Sequence, residues 1–282
     1  MGQFRNTVQS ENNSKPKGFT PAPETGHQVG PVLVQDMQLG DSVFWFNEDR
    51  HTSHQPYPTN GKPGDWGPVI PPQGSSQQLN PPASGVYRYQ CALHPAETGQ
   101  IDVANAVFIG VTLQGGVAFN PNPSVLPAVV PQAWGVPAQL VSFTNSDSNP
   151  HQPTPKIGPA WFTEPVQSGD TTAEVAIGNG DIAYFCKLHP AETGLLQNPV
   201  NINKSGGVLS VAPANATALA GQTISWTNND TVPHQPAPVS GPANAWFAQP
   251  IPPRTTVQSN PFKAAGSFAY QCDGAQGTVS IS

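Results

Sequence analysis

The sequence predicts an all-β chain folded as three tandem Greek-key β-sandwiches, and three observations carry that expectation. Short runs of Val, Ile, Phe, Trp and Tyr alternate with polar residues between Pro- and Gly-rich breakers, the pattern of half-buried strands joined by long turns. Nothing in the chain reads as a long amphipathic helix. One block of sequence also returns three times, with its cysteines 95 and 86 residues apart, the size of one small β-domain.

The composition bounds the rest. Pro (34) and Gly (27) are abundant and charged residues make up only 10%, which would suit low-complexity disorder were it not for the recurring apolar alternation. A chain of 282 residues has room for two or three small domains, each with its own core. The net charge of -6, with only 11 Lys and Arg, argues against a nucleic-acid surface. No apolar run approaches the length of a membrane span.

Taken in order, residues 1–28 are polar and Pro-containing, without the apolar core of a secretory leader. Either a leader has been removed or the protein stays inside, and the segment reads as a flexible arm, free or packed on a neighbour. The three repeats are then placed at 29–113, 114–204 and 205–282. Strands are expected at Ser42 to Phe46 and Val86 to Gln90, with final strands of the first two repeats at Gln100 to Val103 and Pro199 to Ile202. The Pro-rich stretches Pro56 to Pro68 and Pro236 to Pro242 are read as surface connections, because proline cannot donate within a ladder.

Within each repeat the same landmarks recur. Ser42-Val-Phe-Trp-Phe-Asn47-Glu-Asp49 leads into His54-Gln-Pro. Leu140-Val-Ser-Phe-Thr-Asn145-Ser-Asp147 leads into His151-Gln-Pro, and Thr223-Ile-Ser-Trp-Thr-Asn228-Asn-Asp230 into His234-Gln-Pro. A Trp follows each (Trp66, Trp161, Trp246), most simply as a core residue, and then a strand that ends in Cys91, Cys186 or Cys272. Three cysteines exclude a complete disulfide framework. Equivalent positions in separate domains also lie beyond the roughly 7 Å Cα reach of a disulfide. These thiols are expected to be free.

A histidine follows the cysteine by three residues in the first two copies (His94, His189), and the upstream histidine precedes it by 37 and 35 residues. Loops at one end of a sandwich cluster in space, so His54, Cys91 and His94 are expected to converge, and His151, Cys186 and His189 likewise. Trigonal His2Cys ligation favours copper in electron transfer, since thiolate suits Cu(I) and imidazole suits both oxidation states. Structural zinc usually takes paired cysteines, and each repeat has one. The plainer alternative, a buried Cys beside a packed His, is outweighed by the recurrence of the same trio in consecutive repeats.

On these residues, each of the first two repeats resembles a cupredoxin of the plastocyanin, pseudoazurin and amicyanin kind. The likeness lies in the Asn-x-Asp…His segment and in the segment Tyr87 to Val103, with its short Cys-x2-His-Pro loop most similar to amicyanin, and it extends from Val29 to Ser282. The resemblance implies one copper at each trio, about two per chain, an electron-transport role with a redox protein partner, and a periplasmic or extracellular location. It says nothing of the oligomer, and a homo-oligomer stays open.

Three departures from the family pattern matter. Where amicyanin-like proteins carry an axial Met, this chain has Glu97 and Glu192, and its methionines, Met1 and Met37, lie elsewhere. Two readings stand: a hard anionic ligand that stabilises Cu(II), or a solvated loop carboxylate. After the upstream His comes Gln55 or Gln152, at a place from which relatives donate hydrogen bonds toward the thiolate. Asn47 and Asn145 are stronger candidates for tying the ligand loops together, with an Asx turn as the alternative. In the third copy His234 and Cys272 remain, with Asp273 and Gln276 near, but the stretch from Cys to Gly277 is shortened and holds no His, so a structural module without type 1 copper is expected.

Pro95 and Pro190 stiffen the ligand loops, and Leu93, Pro56 and Pro58 are candidates for an apolar patch around an imidazole edge. Tandem cupredoxin domains also build multicopper oxidases and copper nitrite reductases. Their catalytic copper needs extra histidines, and only His27 and His51 are left over here, so a carrier is expected rather than a catalyst. A copper-sequestering or structural repeat protein is the remaining alternative.

Overall fold

Neighbouring β-strands, and almost no helix, make up this computed structural model, which describes residues 3–9, 18–20, 26–29, 32–112, 116–126, 136–137 and 139–282. Among the described residues the only helical element is a three-residue 3-10 turn, Ala243–Ala245, and no helix is long and apolar enough to cross a membrane. The chain divides into two compact units, Met1–Ala106 with Val130–Ser142, and Val107–Val129 with Phe143–Ser282. The fold is an all-β sandwich, as the alternation predicts.

In the first unit, Ser42–Asn47 pairs in parallel with Gln3–Gln9, which pairs in turn with Gly18–Thr20. The facing sheet carries Gly85–Cys91 between Pro56–Pro58 and Thr98–Val111, and Thr98–Val111 also pairs in parallel with Val32–Gln38. Trp45 from one sheet meets Tyr89 from the other at 5.2 Å edge-on, with Trp66 stacked on Trp45 at 5.4 Å. Tyr87, Ile101 and Val103 complete a core closed to water, each such side chain stabilising the fold by about 1.5–3 kcal/mol.

The second unit holds most of the second copy and all of the third. Pro153–Pro155, Ile182–Cys186 and Thr193–Gln197 repeat the arrangement around Cys186. Ala237–Pro238, Gly266–Cys272 and Ala275–Ile281 repeat it around Cys272. Trp226, Trp246, Phe262 and Tyr270 fill the third core. Trp161 is only half-buried, unlike Trp66 and Trp246, and stacks on Phe143 at 5.6 Å.

Four expectations need correction. Gln3–Gln9 is not a free arm: it is a strand with six residues in register on Ser42–Asn47, and Arg5 lies over the Phe46 ring at 4.3 Å. The remaining parts of the expected arm, 1–2, 10–17 and 21–25, lie outside the described residues, as does the boundary at 113. The boundary after Lys204 falls inside the strand Val200–Ser205, whose partners Val208–Ala212 and Ser225–Asn228 both belong to the third copy. Pro56–Pro58 and Ala237–Pro238 are short strands rather than loops, because an edge strand needs a donor only on its inner side. Pro56 and Pro58 are consequently buried and take no part in a surface patch, whereas Leu93 and Pro95 are exposed.

One glycine contact recurs in all three copies. Gly99, Gly194 and Gly277 sit opposite Tyr89, Tyr184 and Tyr270 across a strand pair. A Cβ on any of them would clash with the tyrosine ring or hydroxyl, so the tyrosine two residues before each cysteine packs directly on the glycine.

Candidate metal centres

Strand register brings the upstream histidine to the cysteine. Pro56 is paired with Cys91 and Pro153 with Cys186, so the histidine two residues earlier arrives just beyond the sulfur. Main-chain bonds between His54 and Ile70, and between His151 and Val166, hold the histidine backbone from its other side. All three cysteines are free and buried.

The donor atoms meet. In the first centre Cys91 Sγ lies 3.7 Å from His54 Nδ1 and 3.6 Å from His94 Nδ1, and Glu97 Oε2 lies 2.9 Å from His54 Nδ1 and 3.6 Å from His94 Nδ1. In the second, Cys186 Sγ is 3.6 Å from both His151 Nδ1 and His189 Nδ1. Glu192 Oε2 is 3.0 Å from His151 Nδ1, and the two imidazole Nδ1 atoms are 3.2 Å apart. Each set of four donors falls within 4.8 Å.

These separations fit one ion. Bonds of about 2.0–2.1 Å to nitrogen and 2.3 Å to sulfur place donors about 3.6 Å apart at trigonal or tetrahedral angles, and about 2.9 Å apart at a right angle. The N–S distances match the first case, as do the carboxylate distances to His94 and His189, and the carboxylate distances to His54 and His151 match the second. Glu97 and Glu192 therefore turn inward over the histidine and sulfur rather than into solvent.

The upstream imidazole is held by a residue whose role the sequence did not reveal. Asp49 Oδ2 lies 2.7 Å from His54 Nε2 with both side chains fully buried, and Asp147 Oδ2 lies 3.0 Å from His151 Nε2. A carboxylate on the outer nitrogen fixes the tautomer, leaving Nδ1 for the cluster. The signal was present in the Asn-x-Asp spacing common to all three copies, but the spacing alone does not say where the carboxylate points.

Asn47 and Asn145 each combine an Asx turn with hydrogen bonds to other loops. Asn47 Oδ1 accepts the Asp49 N–H at 3.0 Å, an Asx turn, while its amide donates to Thr52 O, Ile70 O and Pro71 O. Asn145 likewise accepts from Asp147 and donates to Asn149 O and Val166 O. Gln55 and Gln152 face the sulfurs, though not through their side chains. Their side chains turn away, to Gly67 O and to Phe162 O and Thr163 O, and it is their backbone N–H groups that face the sulfur, each at 3.4 Å.

Electrostatics follow the contacts. Burial works against a charge on His54, but its bonds to Cys91, Glu97 and Asp49 outweigh this and raise its pKa to about 10. Burial likewise opposes ionisation of Cys91, yet the His54 contact and the N–H of Gln55 bring the thiol down to about 7. Asp147 is held at about 2 by His151 and the neighbouring backbone. A cluster that gathers thiolate and carboxylates around two imidazoles is one that a cation stabilises.

The third copy is built differently. Cys272 pairs directly with Ala275, so a two-residue Asp273-Gly274 turn replaces the histidine-bearing loop. His234 Nδ1 meets Asp273 Oδ2 at 2.6 Å, and Asp230 Oδ2 lies 2.8 Å from His234 Nε2. Of the spare histidines, His51 is exposed, and the His27 side chain lies outside the described residues.

No family model and no curated protein matches the chain. Among solved structures it is similar to a copper-containing nitrite reductase from Thermus scotoductus SA-01, at 12% identity over 100% of this chain and 98% of that one, TM-score 0.25. It is also similar to a purple cupredoxin from Nitrosopumilus maritimus, at 24% identity over 29% of this chain and 99% of that one, TM-score 0.24. Amicyanin from Paracoccus versutus matches at 22% identity over 30% of this chain and 81% of that one, TM-score 0.25. The likeness is one of fold alone, an all-β sandwich with the strand pairing described above.

Proposed function

We propose that the protein is an electron carrier with two mononuclear copper centres, one held by His54, Cys91 and His94 with Glu97, the other by His151, Cys186 and His189 with Glu192. The observation that supports this reading is the recurrence, within one chain, of a sulfur, two imidazole nitrogens and a carboxylate oxygen spaced as ligands of a single ion. Copper in such a donor set supplies a one-electron couple whose coordination changes little with oxidation state.

The chain's residues divide the remaining tasks. Asp49 and Asp147 hold the buried imidazoles, and the Gln55 and Gln152 N–H groups face the sulfurs. His94 and His189 are partly open to solvent, with side-chain exposures of 33% and 40%, and Leu93 and Leu188 stand exposed beside them. Electrons would enter and leave along these imidazole edges, in a small contact with a redox protein. Glu97 and Glu192, as hard anionic donors, would favour the oxidised state and lower the potential. We further read the chain as three successive modules working outside the inner membrane, in the periplasm or the extracellular space.

A reductive titration of the copper-loaded chain tests the carrier reading. It should bleach a visible thiolate charge-transfer band reversibly with about two electron equivalents per chain, without steady consumption of nitrite or oxygen. Sustained turnover of either would make the protein an oxidoreductase. Full copper loading without colour would make it a store.

A further inference from the structure

The third copy keeps a cluster that the copper reading does not use. Cys272 Sγ, His234 Nδ1 and a carboxylate oxygen of Asp273 lie within 4.8 Å of one another. Cys272 and His234 are buried, while the Asp273 side chain is 61% exposed. Asp273 and Gly274 both adopt positive φ, 44° and 92°, as the central pair of a tight hairpin turn, a conformation that Asp tolerates and Gly favours. That turn folds the carboxylate back over His234 and leaves its other side to solvent.

The histidine is also oriented from behind. Asp230 holds Nε2, the Asn228 side chain accepts the Asp230 N–H at 2.9 Å, and Lys204 stands 3.7 Å from the same carboxylate. The carboxylate on the outer nitrogen is the arrangement found at His54 and His151, and it presents Nδ1 to the thiol and to Asp273.

We propose that Cys272, His234 and Asp273 form a third metal site, different in kind from the other two: a zinc-type divalent ion bound by one sulfur, one nitrogen and one carboxylate, with its fourth position open to solvent. The set lacks the second imidazole of a His2Cys copper centre. Zn2+ takes S, N and O donors together and, outside purely structural sites, keeps one position open. Thiolate and carboxylate balance the double positive charge. On binding, Cys272 gives up its thiol proton and His234 the proton it shares with Asp273, and nothing is oxidised. The competing occupant is that shared proton alone, in an Asp230–His234–Asp273 triad that would make no use of Cys272. These donors are separate from both copper-type sets, so the third site stands or falls independently of the copper reading.

The full chain carrying Cys91→Ser and Cys186→Ser leaves Cys272 as its only thiol. Titrated with Co2+, it should saturate at about one equivalent, show a thiolate-to-cobalt charge-transfer band that Zn2+ abolishes, and release about two protons. Cys272→Ser should remove the band. Asp273→Asn, at an exposed turn, should weaken binding about tenfold or more with thermal unfolding unchanged, and Asp230→Asn about 10- to 100-fold. Cobalt bound without the band, no binding, or binding indifferent to Asp273→Asn would each overturn the proposal. Should the double variant not fold, the unsubstituted chain preloaded with Cu(I) gives the same readout. One further zinc per chain, lost in Asp273→Asn, supports the site, and none refutes it.

Discussion

Replacing Asp49 by Asn probes the first centre with little disturbance of shape. The amide is isosteric with the carboxylate, and its oxygen still accepts the His54 Nε2–H across the 2.7 Å contact. What is lost is the charge. Both side chains are fully buried, so water does not screen the difference. A hydrogen bond to a charged group contributes about 1.5–3 kcal/mol and a neutral one about 0.5–1.5 kcal/mol, which leaves a deficit of about 1–1.5 kcal/mol. That corresponds to copper binding weakened roughly tenfold, near the lower end of the 10- to 100-fold range for outer carboxylates. Asp49→Ala should cost about 1–3 kcal/mol more, because it leaves the Nε2–H unsatisfied in a closed site. Competition with a copper chelator at neutral pH, in a chain carrying Cys186→Ser, reads the first centre alone. Unchanged affinity in Asp49→Asn would refute the orienting role. An equal loss at the second centre, measured in a Cys91→Ser chain, would show that the effect is global unfolding.

Four further outcomes are expected. In the metal-free protein, thiolate absorbance should rise with a midpoint near 7 for Cys91, while burial and the neighbouring Asp273 keep Cys272 protonated to about 12; a Cys272→Ser chain that still titrates near 12, or an intact chain with no step near 7, would contradict these assignments. Because the folded pKa of Cys272 lies above its ordinary value of 9.0, its stability contribution is complete below pH 9 and is lost as pH rises toward 12, so the Tm difference between the intact chain and Cys272→Ser should shrink over that window. Gly99→Ala, Gly194→Ala or Gly277→Ala should each destabilise by about 1–3 kcal/mol or more in denaturant unfolding, since the added methyl meets a buried tyrosine; a neutral substitution would mean the ring is free to move. Glu97→Gln should raise the reduction potential of the first centre and shift its visible band while leaving the second unchanged, and an unaltered spectrum would return Glu97 to the role of a loop residue.

The two copper-type trios were legible in the sequence because register and spacing are local and occur twice. A cysteine closing a strand, a histidine three residues on, and a second histidine two residues before the paired proline leave little freedom in where the donors end. Asp49, Asp147 and Asp230 were visible as letters but not as partners, because the direction of a loop carboxylate depends on the Asx turn beneath it. The direction of Glu97 was undecided because it is set by the turn in which its N–H donates to His94 O and its carbonyl accepts from Cys91 N. Gln55 and Gln152 were legible as neighbours of the sulfur, but not which of their groups faces it, because a backbone donor is not specified by residue identity. The pairing of Gln3–Gln9 with Ser42–Asn47 is non-local and parallel, with no turn signal to announce it. The shortening between Cys272 and Gly277 was legible, and Asp273-Gly274 is the hairpin turn that closes it.

The most direct test of the paired copper centres is a copper count taken together with the visible spectrum for the intact chain, Cys91→Ser, Cys186→Ser and the double variant. Two coppers and a thiolate charge-transfer band should fall to one copper with roughly half the intensity in each single variant, and to a colourless protein in the double. Retention of both coppers and the full band after either substitution would contradict it, since the sulfur would then not be a ligand.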